Sequence, residues 1–238
     1  MSAQLPLAVA LPDTARWANY YSGPNLEIVS ALRASPLPPV IFLWGGAGTG
    51  KTHLMQATCE SVSAEAGQTQ YLSLQDHHLL DTAILEDLEH STLVCIDDMH
   101  AIVGNTAWEH ALFHFYNRCS AAGAHIFFSA RQNLAAIEHS RDAAQGFALP
   151  DLRSRIAAGL VYHLRELSDD DKIAALRHRA AYRGLDLPSD AAQYLLRHAP
   201  RSTSVLFALL ERLDWAALAA QRKITRAFLR AWMEENGL

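Results

Sequence analysis

Residues 45–52 read Gly45-Gly46-Ala47-Gly48-Thr49-Gly50-Lys51-Thr52. This satisfies G-x-x-x-x-G-K-[ST], the spacing of a phosphate-binding loop. The chemistry explains the residue types. Glycines let successive backbone N–H groups turn toward one anion. A lysine at 51 brings positive charge to the outer phosphates, and a hydroxyl at 52 is a hard oxygen ligand for Mg²⁺. A helix beginning at the loop's end adds its N-terminal dipole. The apolar run Val40-Ile41-Phe42-Leu43-Trp44 precedes the loop, and a helical pattern from His53 to Glu65 follows it. Strand, loop and helix in that order give the motif its structural meaning. Gly46 through Thr52, with His53, are therefore the candidate nucleotide contacts, and ADP or ATP with Mg²⁺ is the candidate cofactor.

Further apolar runs follow at Thr69–Leu74, Leu93–Ile96, Ile126–Phe128 and Leu160–Leu164. Runs that are apolar throughout fit strands buried on both faces of a parallel sheet. Helical stretches alternate with them, at Asp81–Leu88 and Thr106–Ser120, so the fold class is α/β with a five-stranded parallel sheet. The third run ends in Asp97-Asp98. A strand ending in an acid delivers a carboxylate to a metal, which makes Asp97 the second Mg²⁺ ligand beside Thr52. Asp98 is the candidate general base for an attacking water. Ser129, at the end of the fourth run, is the candidate contact to a γ-phosphate or that water. Arg153 and Arg155 stand just before the fifth run. In multimeric P-loop ATPases such an arginine reaches a neighbour's γ-phosphate.

The pattern changes near Glu166. From there to Leu238 the sequence reads as four helices: Ser168 to Arg183, about Pro188 to His198, Ser202 or Thr203 to Ala220, and Thr225 to Glu235. The charge changes as well. Residues 1–165 carry a net charge of -6 and residues 166–238 carry +1, within a total of -5. The expected organisation is a tail over 1–12, an α/β nucleotide-binding domain over 13–165 and a small all-α domain over 166–238.

Composition excludes several classes of function. The 238 residues are 50% hydrophobic and 19% charged, which describes a globular chain. That length can bury roughly 70% of the unfolded surface. An acidic chain with no basic stripe is unsuited to coating DNA. No apolar run approaches the roughly 18 residues that span a bilayer. The first residues lack a basic stretch and contain Pro6 and Pro12, so no signal peptide is expected. The three cysteines, Cys59, Cys95 and Cys119, sit in apolar sequence and read as structural thiols of a reducing compartment. These features predict a cytoplasmic protein. His110 and His114 lie one helical turn apart, but Glu109 precedes the pair and no third ligand accompanies it, so a zinc reading is not supported.

These motifs together resemble the DnaA family of AAA+ ATPases, and within it the Hda-type regulators of replication initiation. Trp17-Ala18-Asn19-Tyr20-Tyr21-Ser22-Gly23-Pro24-Asn25 is similar to the segment that opens the family's ATPase domain and walls the adenine, which implicates Tyr20 and Tyr21. Leu149–Arg155 resembles the family's LPDLxSR stretch, which places the arginine finger on Arg155. The helical region is similar to the family's lid. Gln4-Leu5-Pro6-Leu7 is similar to the Q-L-[SP]-L sliding-clamp motif; Leu5 and Leu7 would enter an apolar groove and Gln4 would bond at its edge. The resemblance implies DnaA and the clamp's β subunit as partners, DNA contact only through the clamp, no membrane, and room for a homo-oligomer. It implies a protein that holds ADP and makes DnaA hydrolyse its ATP. The rival reading is an ATPase with its own turnover through Asp98, acting as a DnaA-like initiator or loader accessory. Two positions depart from the family pattern. Ser204 stands where the lid arginine is expected, and Arg131 where an acid often follows the fourth strand.

Overall fold

The computed structural model describes residues 15–138 and 146–237. They form two compact units, one of Glu27–Leu164 with the chain up to Arg16, the other of Trp17–Leu26 with Arg165–Leu238.

The first unit is built on five parallel strands: β1 (Val40–Trp44), β2 (Thr69–Ser73), β3 (Leu93–Asp97), β4 (His125–Ala130) and β5 (Leu160–His163). Their order across the sheet is β2-β3-β4-β1-β5. The apolar runs are explained by burial on both faces. Phe42, Val94, Ile96, Ile126 and Phe128 share one core with Leu112 and Phe115 of α3 (Thr106–Ala122). On the neighbouring positions Ile41, Leu43, Leu93, Cys95 and Phe127 are equally buried. There the Cys95 thiol lies 3.5 Å from Cys59 Sγ of α2 (Lys51–Ala64). Cys59, Cys95 and Cys119 are all free thiols. The edge strand β5 is different, with Leu160 and Val161 both exposed.

The expected helix over Asp81–Leu88 does not form. Short 3₁₀ turns occupy Thr82–Leu85 and Leu88–His90, and Asp87 between them has a left-handed backbone (φ 63°). The reason is tertiary. Arg118 Nη2 of α3 donates to the Leu85 carbonyl at 2.7 Å, and its Nε pairs with Glu89 at 3.1 Å. The Leu85 carbonyl is therefore used by a side chain and not by a helix. Three short helices have no counterpart among the expected elements: α1 (Leu26–Leu32), α4 (Leu134–Glu138) and α5 (Pro150–Ala157). In α5, Pro150 takes the first helical position, where its missing N–H costs nothing.

The second unit contains α6 (Asp169–Tyr182), α7 (Ser189–His198), α8 (Thr203–Ala220) and α9 (Arg226–Glu235), close to the four expected helices. Leu176, Leu195, Leu210, Leu213 and Leu229 are fully buried in its core. No helix among the described residues is long and apolar enough to cross a membrane. Residues 17–26 group with these helices, where the sequence reading kept 13–165 together. The cause is polar anchoring. Tyr21 OH donates to Asp171 at 3.3 Å, the Asn25 side chain both donates to the Arg165 carbonyl and accepts from the Arg165 N–H, and His178 Nε2 lies 3.0 Å from the Ala18 carbonyl.

Helix α6 starts with a reciprocal cap. The Ser168 hydroxyl accepts from the Asp171 N–H, and the Asp171 carboxylate accepts from the Ser168 N–H. Replacing Ser168 with alanine should destabilise this unit by about 1 kcal/mol at neutral pH, as read by urea unfolding. The difference should shrink in acid. The Ser168 hydroxyl bond is the leading cause that holds the Asp171 carboxyl below its ordinary value. Stability from a depressed carboxyl is present above its unfolded pKa of about 3.9 and is lost as pH falls through the lower folded value. A difference that stays constant down to about pH 2 would contradict this assignment.

Candidate functional site

The phosphate loop lies between β1 and α2, at the C-terminal edge of the sheet. Its first residue is tightly enclosed. Gly45 N–H donates to the Ala130 carbonyl at 3.2 Å, and a Cβ at position 45 would stand 2.6 Å from the Leu164 carbonyl. Only glycine fits there. Gly50 is the N-cap of α2 with φ 98°, a left-handed backbone that favours glycine, and no side chain caps the helix. The orphan N–H groups of the first turn are thus left for an anion. The Thr49 hydroxyl donates to the Gly46 carbonyl at 2.9 Å, which braces the loop from within. Ala47 and Gly48 form its exposed crest.

Lys51 is buried, and its ammonium donates to the carbonyls of Gly45 at 2.7 Å and Gly46 at 2.8 Å. Burial pushes its pKa below the usual lysine value, the carboxylates of Asp97 and Asp98 pull it back up, and Arg131 opposes them. His53 Nε2 lies 3.0 Å from the Arg16 carbonyl.

Asp97 is completely buried at the end of β3. Four donors satisfy its carboxylate. Thr52 Oγ1 donates at 2.6 Å, Tyr71 OH at 2.7 Å and the Asp98 N–H at 3.0 Å, and the Ser129 hydroxyl is the fourth. Burial and the adjacent Asp97 carboxylate push the Tyr71 phenol well above its usual pKa, so it remains a donor. Asp98 is partly exposed and has a left-handed backbone (φ 57°). Its carboxylate accepts from the Ser73 hydroxyl at 3.3 Å and lies 3.9 Å from His100 Nδ1. Burial holds the His100 imidazole below the usual histidine value, while Asp98 opposes that shift.

Lys51, Thr52, Asp97, Asp98 and Ser129 therefore form one cluster. Ser129 is placed against the acidic pair. It is fully buried, its hydroxyl donates to Asp97, and it accepts from the Asp98 N–H at 3.3 Å. That geometry makes it a brace for the acidic pair. The pairing of Thr52 Oγ1 with an Asp97 oxygen gives two adjacent hard oxygen ligands, a donor set that fits Mg²⁺. Bound Mg²⁺ would offset phosphate charge there.

Tyr20 and Tyr21 lie in the second unit. Tyr21 bonds Asp171, and burial pushes the Tyr20 phenol up to about 12. Arg155 lies in the last turn of α5, exposed, with its guanidinium carbon 5.0 Å from the Phe113 ring centroid and 5.8 Å from that of Tyr116. In the helical unit Arg201 pairs with Asp169 at 3.4 Å, and the Ser204 hydroxyl lies 2.8 Å from that of Ser202. Gln4, Leu5 and Leu7 lie outside the described residues. Tyr71, Ser73 and His100 had no role in the sequence reading. Tyr71 and Ser73 lie on the second apolar run and His100 two residues beyond Asp98, and nothing local in the sequence ties them to the acidic pair.

A parallel sheet in this order, a glycine-rich loop leading into a helix, and an acidic pair on the adjacent strand define an AAA+ P-loop ATPase domain, here followed by a helical lid. Residues 26–163 match the bacterial DnaA ATPase domain, and residues 169–233 match the Hda lid domain. The first match alone spans more than half of the chain, which belongs to the bacterial DnaA family. Among solved structures it is similar to domain III of the Thermotoga maritima replication initiation protein DnaA, with a TM-score of 0.74 and 17% identity over 94% of this chain and 98% of that one. AMPPCP-bound DnaA from Aquifex aeolicus is similar at a TM-score of 0.67 and 20% identity, over 86% of this chain and 66% of that one. The Thermotoga maritima RuvB Holliday junction branch migration motor gives 0.62 and 17%, over 88% of this chain and 67% of that one. At these identities the structural matches establish the fold.

Changing Tyr71 to phenylalanine removes one of the donors to a fully buried carboxylate. The first unit should lose about 1–3 kcal/mol, measured by urea unfolding. A change below about 0.5 kcal/mol would show that Tyr71 is dispensable to Asp97.

Proposed function

We propose that this protein, holding ADP or ATP with Mg²⁺ at its phosphate loop, acts with the DNA-loaded sliding clamp to stimulate hydrolysis of DnaA-bound ATP. It thereby prevents re-initiation of chromosome replication. The observation that carries this reading is Arg155. Its guanidinium is exposed, rests on two aromatic rings, and has no carboxylate partner among the described residues. An arginine held in that way is available to a second molecule. It acts in trans, stabilising the negative charge that develops around the γ-phosphate of DnaA's ATP as the bond to ADP breaks.

The nucleotide bound by this chain then has a structural role. Lys51, the first-turn N–H groups of α2 and the Thr52–Asp97 pair hold its phosphates and metal, and Tyr20 and Tyr21 wall the adenine. Serine at 204 in place of the lid arginine supports holding over fast turnover. Gln4, Leu5 and Leu7 dock the clamp. One observation favours a second reading. Asp98 is partly exposed beside Asp97 and held by Ser73, the stance of a general base, which supports independent ATP turnover.

The deciding measurement is hydrolysis of DnaA-bound ATP with protein, ADP and DNA-loaded clamp, each omitted in turn. A requirement for all three supports the regulator. Steady turnover by the protein alone, lost in Asp98→Asn, supports the second reading. Arg155→Ala should lower stimulation roughly 10³-fold while ADP and clamp binding stay intact; full stimulation would exclude the finger role. ADP at about 100 times its Kd should stabilise the wild-type protein by about 2.7 kcal/mol and leave Lys51→Ala unmoved. An equal shift in both would show that Lys51 does not hold the phosphates. Alanine at Leu5 and Leu7 should abolish clamp capture alone.

A further inference from the structure

Glu109 of α3 is fully buried. A carboxylate tolerates such a place only when donors satisfy its oxygens. Oε1 accepts from the Gly104 N–H at 2.7 Å and the Ala148 N–H at 3.1 Å, and Oε2 accepts from the Leu149 N–H at 2.7 Å. Gly104 belongs to the connection that leaves Asp97-Asp98 and leads into α3. Ala148 and Leu149 are the last residues before α5. Leu149 is the N-cap of α5, and its side chain makes no capping bond. Glu109 thus ties the start of α5 to α3 through two backbone bonds.

The other end of α5 is held by the same stripe. Phe113 and Tyr116 follow Glu109 at i+4 and i+7, one face of a helix. Their rings carry the Arg155 guanidinium, and Tyr116 OH donates to the Arg155 carbonyl at 3.4 Å. The two ends of an eight-residue helix are therefore fastened to one row of side chains.

We propose that this stripe, with Glu109 at its head, positions Arg155. The buried carboxylate sets where α5 begins, and the rings set where the guanidinium stands. The inference rests on the reading of Arg155 as a finger in trans. Glu109 touches no reacting atom; it is a positioning residue.

The test uses Glu109→Gln in the full-length protein. Glutamine is isosteric, but its NH₂ group can face only one of these N–H donors by displacing a hydrogen bond. Hydrogen exchange over 148–157 should accelerate at least ten-fold. Stimulation of DnaA-bound ATP hydrolysis should fall at least ten-fold, with ADP affinity within two-fold of wild type. A double variant with Arg155→Ala should be no slower than Arg155→Ala alone, because a residue that acts through another adds nothing once that one is gone. Unchanged exchange at Ala148 and Leu149, or fully additive losses, would overturn the proposal. Full stimulation by Arg155→Ala alone overturns the finger reading instead, and exchange over 148–157 then decides whether Glu109 holds α5. Should Glu109→Gln fail to fold, Phe113→Leu enters the same cycle. Non-additive loss there supports the stripe, and full stimulation overturns it.

Discussion

The buried carboxylate of Asp97 constrains the whole first unit. An unpaired charge in that place would cost several kcal/mol, so it persists only because donors converge on it. They come from different parts of the chain: Thr52 from the start of α2, Tyr71 from β2, Ser129 from β4 and the N–H of Asp98. This requires β3 to lie between β2 and β4, and the sheet order meets that condition. It also requires α2 to begin beside the end of β3. The strand order, the phosphate loop's placement and the acidic pair thus satisfy one electrostatic demand.

Helix α3 extends the same logic away from the nucleotide site. Its buried face joins the apolar core through Leu112 and Phe115. A neighbouring stripe carries a carboxylate and two rings that hold α5. The chain from Asp98 through Gly104 to α3 is continuous, so the acidic pair and the Arg155 helix share a support. The acidic pair and the helix that carries Arg155 are held by one scaffold because α3 bonds both connections through Glu109.

Much of this fold is legible in the sequence. Strands buried on both faces leave unbroken apolar runs, and Val40–Trp44 and Leu93–Ile96 are of that kind. A phosphate loop is local, so its eight residues suffice to recognise it. The four lid helices carry their own caps and breakers, such as Ser168, Gly184 and Thr225. What escaped was non-local. Tyr71 matters because β2 pairs with β3 in a register that sets Tyr71 opposite Cys95 and Ser73 opposite Asp97, and no short window contains that pairing. Asp81–Leu88 has helical spacing, but Arg118, some thirty residues on, takes its carbonyl. Ser129 was identifiable as a polar strand end, while the direction of its hydroxyl depended on Asp97 across the sheet. Glu109 stands in the sequence simply as a neighbour of His110, since its partners at 148 and 149 lie beyond the next strand.

The anchoring of Trp17–Leu26 to the helical unit bears on how the molecule is made. Tyr21 and Asp171 are 150 positions apart, and Asn25 and Arg165 are 140 apart. During synthesis the aromatic segment leaves the ribosome before α6, so its bonds to Asp171 and Arg165 wait for residues made much later. The sheet, whose strands are all made in between, is able to form earlier. Closing so long a loop adds little to the equilibrium cost, since that term grows only with the logarithm of length, but non-local closure is slow. The lid unit is therefore completed only after the strands of the sheet have been made. Its aromatic segment is translated before the sheet and its helices after it, so a nascent chain halted before residue 165 holds Tyr21 and Asn25 without the Asp171 and Arg165 groups that anchor them.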